Sequence, residues 1–390
     1  MREIIQAAGS SPQVSLTLFE IGAVFVLLSA ISYLAFRLKI SNVPLFLLIG
    51  LAFGRGGIVP LELSEEFLNI GAGIGAIMLL LNLGFEYSAN ELVDTFKKRW
   101  HAGLLDVALN AVPAAIIAYL LGFGWLGALT FAGVMFVSSS GIASQLIRET
   151  GWAKSRVASR ATGILVFEDI LLAPYLPILA SAVLGLGAIA GLISVGVALL
   201  VTLAIFIFSS GREIPGLRSL SQKSPGVLLL LVFGTALAVS GLADLNGFSG
   251  AIAAFLLGLL LTGEVADSLR NRFAPLREIF AAIFFLFFGL SITFADLVAV
   301  LPIALLFSVF GIAGKLVLGW WIGRDLSDSM SWKRIGAFLI SRGEFSMIIA
   351  STVALSGVVA GVKEITLGVV LITAISSTLA MRAMRSKFDR

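Results

Sequence analysis

Long apolar runs recur along the whole chain, and they constrain its fold more than any other feature. Many of them reach about 18 residues or more with few charges, which is long enough for a helix to cross a hydrocarbon core of about 30 Å. Of the 390 residues, 58% are hydrophobic and 13% are charged, whereas soluble domains are about 45 to 50% apolar and about 25% charged. The sequence therefore predicts an all-α membrane protein with no soluble domain.

Breaks at proline, glycine and charge clusters divide these runs into about thirteen spans, so the two termini are expected on opposite sides of the membrane. The first run contains Glu20 and follows a single basic residue, Arg2, so we expect a retained helix rather than a secretory signal. The predicted spans are 18–37, 43–56, 66–85, 101–122, 125–147, 157–181, 187–209, 224–243, 247–264, 274–291, 296–321, 332–356 and 362–384.

The distribution of lysine and arginine predicts the orientation, because cytoplasmic loops of membrane proteins collect basic residues. An outside N-terminus puts nearly all of the 27 basic residues in cytoplasmic segments. Arg2, Arg55 and Lys363 then lie outside, while Lys315 and Arg342 lie within spans. We expect a multi-pass plasma-membrane protein with a cytoplasmic C-terminus. The net charge of +4 thus reflects topology and contact with anionic lipid rather than binding of nucleic acid.

Cysteine and histidine usage excludes several kinds of chemistry. With zero cysteines, the chain has no disulfide, no thiolate metal site and no cysteine nucleophile. The single histidine, His101, follows Lys97, Lys98, Arg99 and Trp100 at a predicted membrane boundary. We interpret it as a boundary residue rather than a pH sensor. No permanently bound cofactor and no enzymatic activity are expected.

Two predicted spans are interrupted midway by polar residues. Span 125–147 contains Ser-Ser-Ser-Gly at 138–141, and span 332–356 contains Ser-Arg-Gly-Glu at 341–344. Interrupted helices at corresponding places in two halves of a chain are typical of transporters whose site lies near the middle of the bilayer.

The three serines of the first break, Ser138, Ser139 and Ser140, are candidate cation ligands. Their hydroxyl and backbone oxygens are the hard ligands that an alkali cation prefers over sulfur or imidazole. The alternative is that they only satisfy backbone groups that the broken helix leaves without partners.

Ionisable residues inside the spans are the other candidates, because each costs about 2.5 to 3.5 kcal/mol to insert unless it is paired, hydrated or used. Glu168 and Asp169 lie near the middle of span 157–181 and point about 100° apart on a helix, so we expect them to divide their roles. Burial favours the protonated form of a carboxyl group, while the ionised form attracts a cation. The alternative is that both carboxylates are locked in permanent salt bridges.

Lys315, Arg342 and Glu344 are the other deep charges. Lys315 needs an anionic partner, and we expect Glu168, with the alternative that it serves as a counter-charge for broken helix ends. Arg342 and Glu344 lie at the second break, where they either compensate helix dipoles or contact the ion directly.

Asp106 and Glu20 are weaker candidates. Asp106 lies barely one turn inside its predicted span, and Glu20 lies near the outer side of the first. Both positions are close enough to an interface for water to reach the carboxylate, so we assign neither a role.

The motifs occur in a characteristic order over essentially the whole chain. Phe-Glu-Asp-Ile at 167–170 follows the serine break, Phe-Phe-Leu-Phe-Phe-Gly-Leu lies at 284–290, and a lysine-bearing helix precedes Ser-Arg-Gly-Glu-Phe-Ser at 341–346. As a set they resemble the monovalent cation:proton antiporter-2 family, and most closely the membrane domain of its Kef-type potassium/proton branch.

The resemblance implies an inverted-repeat sodium/proton antiporter fold over 1–390, with thirteen helices and two crossed discontinuous helices. It also implies a homodimer in the bacterial inner membrane. A core domain, about 101–181 and 296–384, would move like an elevator against a dimerisation scaffold of about 18–85 and part of 187–291.

By the same resemblance, Asp169 matches the ion-binding aspartate, where the monovalent cation would bind. Glu168 occupies a position that is Asp in many sodium/proton relatives and Gln in the Kef-type proteins. Kef-type proteins carry a cytoplasmic nucleotide-binding domain after the helices, whereas this sequence stops at Arg390. We therefore expect that the protein is unregulated, truncated or controlled by a separate cytoplasmic regulatory subunit.

The expected function is exchange of potassium or sodium for protons, with proton and cation competing for Asp169. One alternative is a sodium-coupled symporter of an organic anion on a related fold, which adjacent carboxylates disfavour. A cation channel is a second alternative, and saturable proton-coupled exchange would exclude it. An intramembrane hydrolase is disfavoured, because His101 is misplaced for a catalytic base.

Overall fold

The computed structural model describes residues 12–38, 40–54, 57, 65–86, 89–152, 154–185, 215–245, 250–261, 263–326, 328–354 and 356–385. Within these ranges every regular element is a helix. The helices are α1 (Pro12–Leu38), α2 (Asn42–Phe53), α3 (Glu65–Glu86), α4 (Ala89–Asp106), a π-helical turn (Val107–Ala111), α5 (Val112–Leu120), α6 (Gly124–Phe136), α7 (Ser140–Thr150), α8 (Arg156–Val183), α9 (Pro215–Lys223), α10 (Pro225–Leu245), α11 (Gly250–Leu260), α12 (Gly263–Leu290), α13 (Phe294–Gly323), α14 (Ser331–Ile340), α15 (Glu344–Ala354) and α16 (Val362–Arg385).

Most predicted spans correspond to these helices, and the all-α membrane fold is confirmed. In the described part of the chain, eight helices or helix pairs are long and apolar enough to cross a membrane, and a ninth is added if the two parts of α8 count as one span. Helix α8 bends by 41° at Pro174, which lacks a backbone N–H. The predicted span 187–209 lies outside the described residues, and the short helix α9 was not expected.

Both predicted helix interruptions are present. Helix α6 ends where Val137 takes an extended backbone (φ −78°, ψ 125°), and α14 ends where Ser341 does the same (φ −65°, ψ 131°). The breaks touch, because the backbone N–H of Ser139 donates to the carbonyl oxygen of Ser341 at 2.8 Å. A Cβ on Gly343 would lie 2.6 Å from the Cβ of Ser139, so a larger residue would force the breaks apart. The two discontinuous helices therefore cross at their breaks.

The start of α4 corrects a predicted boundary. The helix begins at Ala89 rather than at 101, and it continues through the cluster 97–101. Trp100 and His101 are exposed, with their ring centroids stacked at 3.6 Å. Long basic and aromatic side chains can keep their polar ends in water while the backbone continues as a helix. Asp106, at the end of α4, is fully buried.

Buried apolar side chains in the described ranges form three clusters. One cluster joins α7, α8, α13, α14 and α16 and includes Leu318 and Phe338. A second joins α3, α10, α11 and α12 and includes Phe85 and Phe273, whose ring centroids are 5.7 Å apart. The third contains residues of both groups. Two groups of helices therefore share a continuous apolar contact.

Glycines set the spacing of α2, α3, α11 and α12. A Cβ on Gly50 would overlap the carbonyl oxygen of Leu286 and lie 2.8 Å from the Cα of Gly289. A Cβ on Gly84 would lie 2.6 Å from the Cα of Gly258. Small residues allow membrane helices to approach closely. These four helices are thus packed backbone against backbone.

Candidate functional site

Lys315 lies at the centre of a buried ion cluster. Its Nζ atom, on α13, donates to both carboxylate oxygens of Asp106 on α4 and to Oε1 of Glu168 on α8, each at 2.8 Å. It also donates to the carbonyl oxygen of Phe136 at 3.0 Å. All three charged side chains are 0% exposed. Lys315 thus contacts Glu168, the partner expected from the sequence, and also the last carbonyl of α6.

Asp106, a weaker candidate to which the sequence assigned no role, belongs to this cluster. Its Oδ1 atom accepts a hydrogen bond from Asn110 Nδ2 at 2.7 Å, across the π-helical turn that begins at Val107. Such turns are frequent at functional sites. The sequence from Ala89 to Trp100 contains neither proline nor glycine, and this was the signal that the helix starts before residue 101.

Ser138 fixes Glu168 at the first break. The Ser138 backbone N–H donates to Glu168 Oε2, and its hydroxyl lies 3.0 Å from Glu168 Oε1 and 2.9 Å from the carbonyl oxygen of Leu339. Because a hydroxyl carries one proton, it donates to one of these acceptors at a time. Glu168 is therefore held both by unwound backbone and by the Lys315 ammonium.

The other two serines face Glu344. Ser139 Oγ donates to Glu344 Oε2 at 3.0 Å, and Ser140 Oγ lies 3.5 Å from Glu344 Oε1. Glu344 begins α15 and Ser140 begins α7, so this carboxylate lies beside two helix N-termini, where negative charge is favourable. The predicted serine cluster is thus divided between two carboxylates.

Arg342 lies at the opposite helix ends. Its guanidinium donates to the carbonyl oxygens of Met135 at 2.6 Å, Leu339 at 3.0 Å and Ile340 at 3.1 Å, which belong to the last turns of α6 and α14. Nη2 also lies 3.5 Å from Asn110 Oδ1. Carbonyl groups at a helix C-terminus lack intrahelical donors and carry partial negative charge. One buried arginine therefore compensates both C-terminal ends.

Asp169 follows Glu168 on α8 and is 2% exposed. Lys315 and Arg342 are both fully buried at this level, and Lys315 bonds directly to Asp106 and Glu168. An ionised carboxylate in low dielectric is costly unless a positive charge compensates it or it binds a proton or a cation.

Ion pairs at the edge of this helix group are different in kind. Arg160 Nη2 donates to Asp325 Oδ2 at 2.8 Å, and the Asp325 side chain is 64% exposed. The hydrogen bond from Arg160 lowers the pKa of Asp325 to about 2. Arg334 pairs with Asp328 in a similar position. The carboxylates of these pairs are exposed, whereas Arg334 is buried. Ion pairs that reach water contribute little to stability.

Comparison with known proteins identifies the family. A family model described as "Sodium/hydrogen exchanger, transmembrane" matches residues 23–384. The chain belongs to this family. Its resemblance to the Kef-type branch of the cation:proton antiporters is confirmed by the relatives it matches, which are antiporters rather than enzymes.

Three relatives illustrate the similarity. The K(+)/H(+) antiporter subunit KhtU of Bacillus subtilis is 31% identical over 380 residues, which cover 93% of this chain and 92% of that protein. The ammonium/H(+) antiporter subunit AmhT of Alkalihalophilus pseudofirmus is 29% identical over 348 residues, or 86% of each chain. The glutathione-regulated potassium-efflux system protein KefC of Salmonella heidelberg is 29% identical over 90% of this chain and 58% of its own length.

A solved structure shows the shared fold. The sodium proton antiporter MjNhaP1 from Methanocaldococcus jannaschii superposes with a TM-score of 0.60. The match covers 94% of this chain and 99% of that chain at 18% sequence identity. The helix arrangement of this exchanger-family chain is therefore that of a sodium/proton antiporter.

A cavity leads to the crossed helices of this exchanger-family protein. It has a volume of about 970 Å³ and lies between α1, α2, α3 and α12 on one side and the starts of α7 and α15 on the other. Ser29, Asn82, Ser140 and Glu344 are among the lining residues, and Arg277 lies in the same wall. The cavity thus connects the helix N-termini at Glu344 with a segment that the sequence places near the cytoplasm.

Proposed function

We propose that the protein exchanges a monovalent cation, potassium or sodium, for protons across the plasma membrane. The observation that carries this proposal is the position of Glu168 and Asp169 beside two crossed broken helices, with Lys315 shared between Glu168 and Asp106. Buried carboxylates at such a crossing attract a proton or a cation. Membership in the exchanger family supports the same conclusion.

Asp169 is the proposed point of competition between proton and cation. Either ligand neutralises the carboxylate, and a neutralised site moves through apolar surroundings at much lower cost than a charged one. The loaded carrier therefore reorients while the empty carrier does not, and the two fluxes become coupled. Glu168 and Ser138 support the bound cation, while Ser139, Ser140 and Glu344 line the route of entry.

The proposed movement is an elevator motion of the core, about 101–181 and 296–384, against a scaffold of 18–85 and part of 187–291. Two observations support this division. The apolar cluster that includes Phe338 lies within the proposed core, and the cluster that includes Phe85 lies within the proposed scaffold. The cavity also runs between helices of the two groups and ends at Glu344, so water reaches the core at the boundary where sliding would occur.

The cation is proposed to be potassium or sodium, and relatives bearing the names of potassium and ammonium antiporters make ammonium a further candidate. The proposed direction is efflux of this cation from the cell in exchange for protons. The experiment is a pH-dye assay in proteoliposomes with potassium, sodium, lithium and rubidium, with and without a clamped membrane potential. Ammonium is tested as a competitor of rubidium, because neutral ammonia crosses the bilayer unaided.

The expected result is saturable, cation-dependent proton movement that is lost in Asp169→Asn. Empty liposomes and wild-type protein without a cation gradient are the controls. A clamped potential shows whether net charge moves in each cycle. Cation flux that does not saturate and does not move protons would instead indicate a channel.

The proposed assembly is a homodimer with the N-terminus outside, surrounded by anionic lipid. Both KhtU and AmhT are described as antiporter subunits, which supports a separate cytoplasmic regulatory subunit here. Because the chain has zero cysteines, single cysteines report topology directly. Val358→Cys should react with an impermeant thiol reagent from outside, and Arg272→Cys only after the membrane is opened; the reverse pattern would invert the orientation.

A further inference from the structure

We propose that Asp106 is the fixed counter-charge of Lys315, which lets Glu168 change its protonation state during exchange while Lys315 remains an ammonium ion. This inference rests on the proposed function and adds a positioning residue to it. It also assigns Lys315 a constant charge, so that the charge moved in each cycle depends on Glu168, Asp169 and the transported ion.

The geometry favours Asp106 over Glu168 as the permanent partner. Asp106 contacts Lys315 Nζ through both carboxylate oxygens at 2.8 Å, whereas Glu168 uses Oε1 alone. The second oxygen of Glu168 accepts from the backbone of Ser138. Asp106 therefore keeps a two-oxygen contact with the ammonium even when Glu168 becomes neutral.

Among the described residues, Lys315 is the cation that donates hydrogen bonds to Asp106. Helix α4 packs against α8, α13 and the π-helical turn, which present Glu168, Lys315 and Asn110 to this carboxylate. Asn110 is a neutral donor, and Arg342 lies beyond it, 3.5 Å from the amide oxygen. Lys315 is thus the cationic partner of Asp106.

The consequence follows from the cost of an unpaired buried charge. If Glu168 were the sole partner of Lys315, neutralising Glu168 would leave a buried ammonium without a counter-ion, and Lys315 would tend to release its proton. Asp106 removes that requirement. Glu168 can then accept or release a proton beside Asp169 without a matching change on the lysine.

The test compares Asp106→Asn, Lys315→Gln and the double variant in the proteoliposome assay. The three side chains of the cluster carry one net negative charge when ionised. Asp106→Asn removes a negative charge, so protons bind the neighbouring carboxylates less tightly, and the midpoint of exchange should move to lower pH by about 0.5 to 2 units. Lys315→Gln should move it to higher pH. The double variant restores the net charge, and its midpoint should return to within about 0.5 unit of wild type.

A second readout is the number of protons moved per cation. Because Lys315 is not a carrier in this scheme, the double variant should keep the wild-type ratio. Asp267→Asn is the matched control, since it makes the same chemical change at an exposed pair with Arg270. Its pH profile should equal that of wild type. A purely structural Asp106 would lower the amount of folded protein without moving the midpoint.

Several outcomes would overturn the inference. An Asp106→Asn profile equal to wild type, or a double variant that moves fewer protons per cation, contradicts it. If Asp106→Asn does not fold, the double variant still decides, because a charge-restored pair should fold and exchange, and its failure to fold counts against the proposal. Loss of the proposed function itself is recognised separately, by wild-type protein without exchange or by Asp169→Asn with normal exchange.

Discussion

The helices around the crossing and the helices around Gly50 and Gly84 are held together in opposite ways. At the crossing, Lys315, Arg342 and the surrounding carboxylates form buried ionic contacts between helices distant in the chain. In the group α2, α3, α11 and α12, glycines bring backbones into direct contact. The first region is held by buried charged groups, and the second is held by close packing of backbones.

This difference suggests that the closely packed helices provide stability and that the charged crossing provides function. Close packing of small residues has a single good arrangement, so that group is suited to remain rigid. A buried carboxylate cluster is costly when its charge is uncompensated, so its lowest free energy depends on what is bound. Substitutions in the first group should therefore change folding, and substitutions in the second should change exchange.

The largest expected effect is on exchange, in Asp169→Asn. Removing the carboxylate removes competition between proton and cation, so proton movement should fall to the level of empty liposomes. The protein should still fold. Exchange and thermal unfolding in detergent are measured on one preparation. Normal exchange by this variant would contradict the role in exchange that is assigned to the charged region.

Next comes Gly50→Ala, which tests the packed region. The added methyl group meets the backbone of Leu286, and overpacking of this kind costs about 1 to 3 kcal/mol. Thermal unfolding should occur at lower temperature, while exchange per folded molecule is retained. Gly234→Ala is the matched control, because nothing lies within 4 Å of a Cβ there. Equal stability of the two variants would remove the role assigned to close packing.

A smaller effect is expected for Glu168→Gln, which tests whether the charge of Glu168 influences Asp169. Asp106 still neutralises Lys315, so turnover should persist. One negative charge beside Asp169 is lost, so protons bind more weakly there and the midpoint of exchange should shift to lower pH by about 0.5 to 2 units. The full pH profile in proteoliposomes is the measurement. An unshifted profile would argue that Glu168 does not influence Asp169.

The smallest effect is expected for Asp325→Asn, which removes an ion pair in water. The pKa of Asp325 is lowered to about 2 by Arg160. A lowered pKa stabilises the folded state above the ordinary range of the group and loses that contribution as pH falls toward 2, so the effect should be constant between about pH 5 and 8. Thermal unfolding should be nearly unchanged at high salt. A large loss would mean that this pair supports the core after all.

The sequence predicted the properties of single helices well and the contacts between helices poorly. The breaks at 138–141 and 341–344 were predictable, because serine and glycine interrupt apolar runs and each break is a local property of one helix. The boundary at 101 was wrong, because basic and aromatic side chains mark where the membrane surface lies rather than where a helix begins.

The sequence by itself determined that this chain crosses a membrane, that two of its helices are broken, and that carboxylates at 168 and 169 lie inside the bilayer. Those facts follow from composition and from order along one helix. The charge of Lys315 also led us to expect Glu168, 147 positions away, as its partner. The tertiary structure alone decided that Lys315 also meets Asp106, 209 positions away, and that the serines divide between Glu168 and Glu344. Partners of buried charges come from different helices, and helical periodicity contains no information about which helices become neighbours.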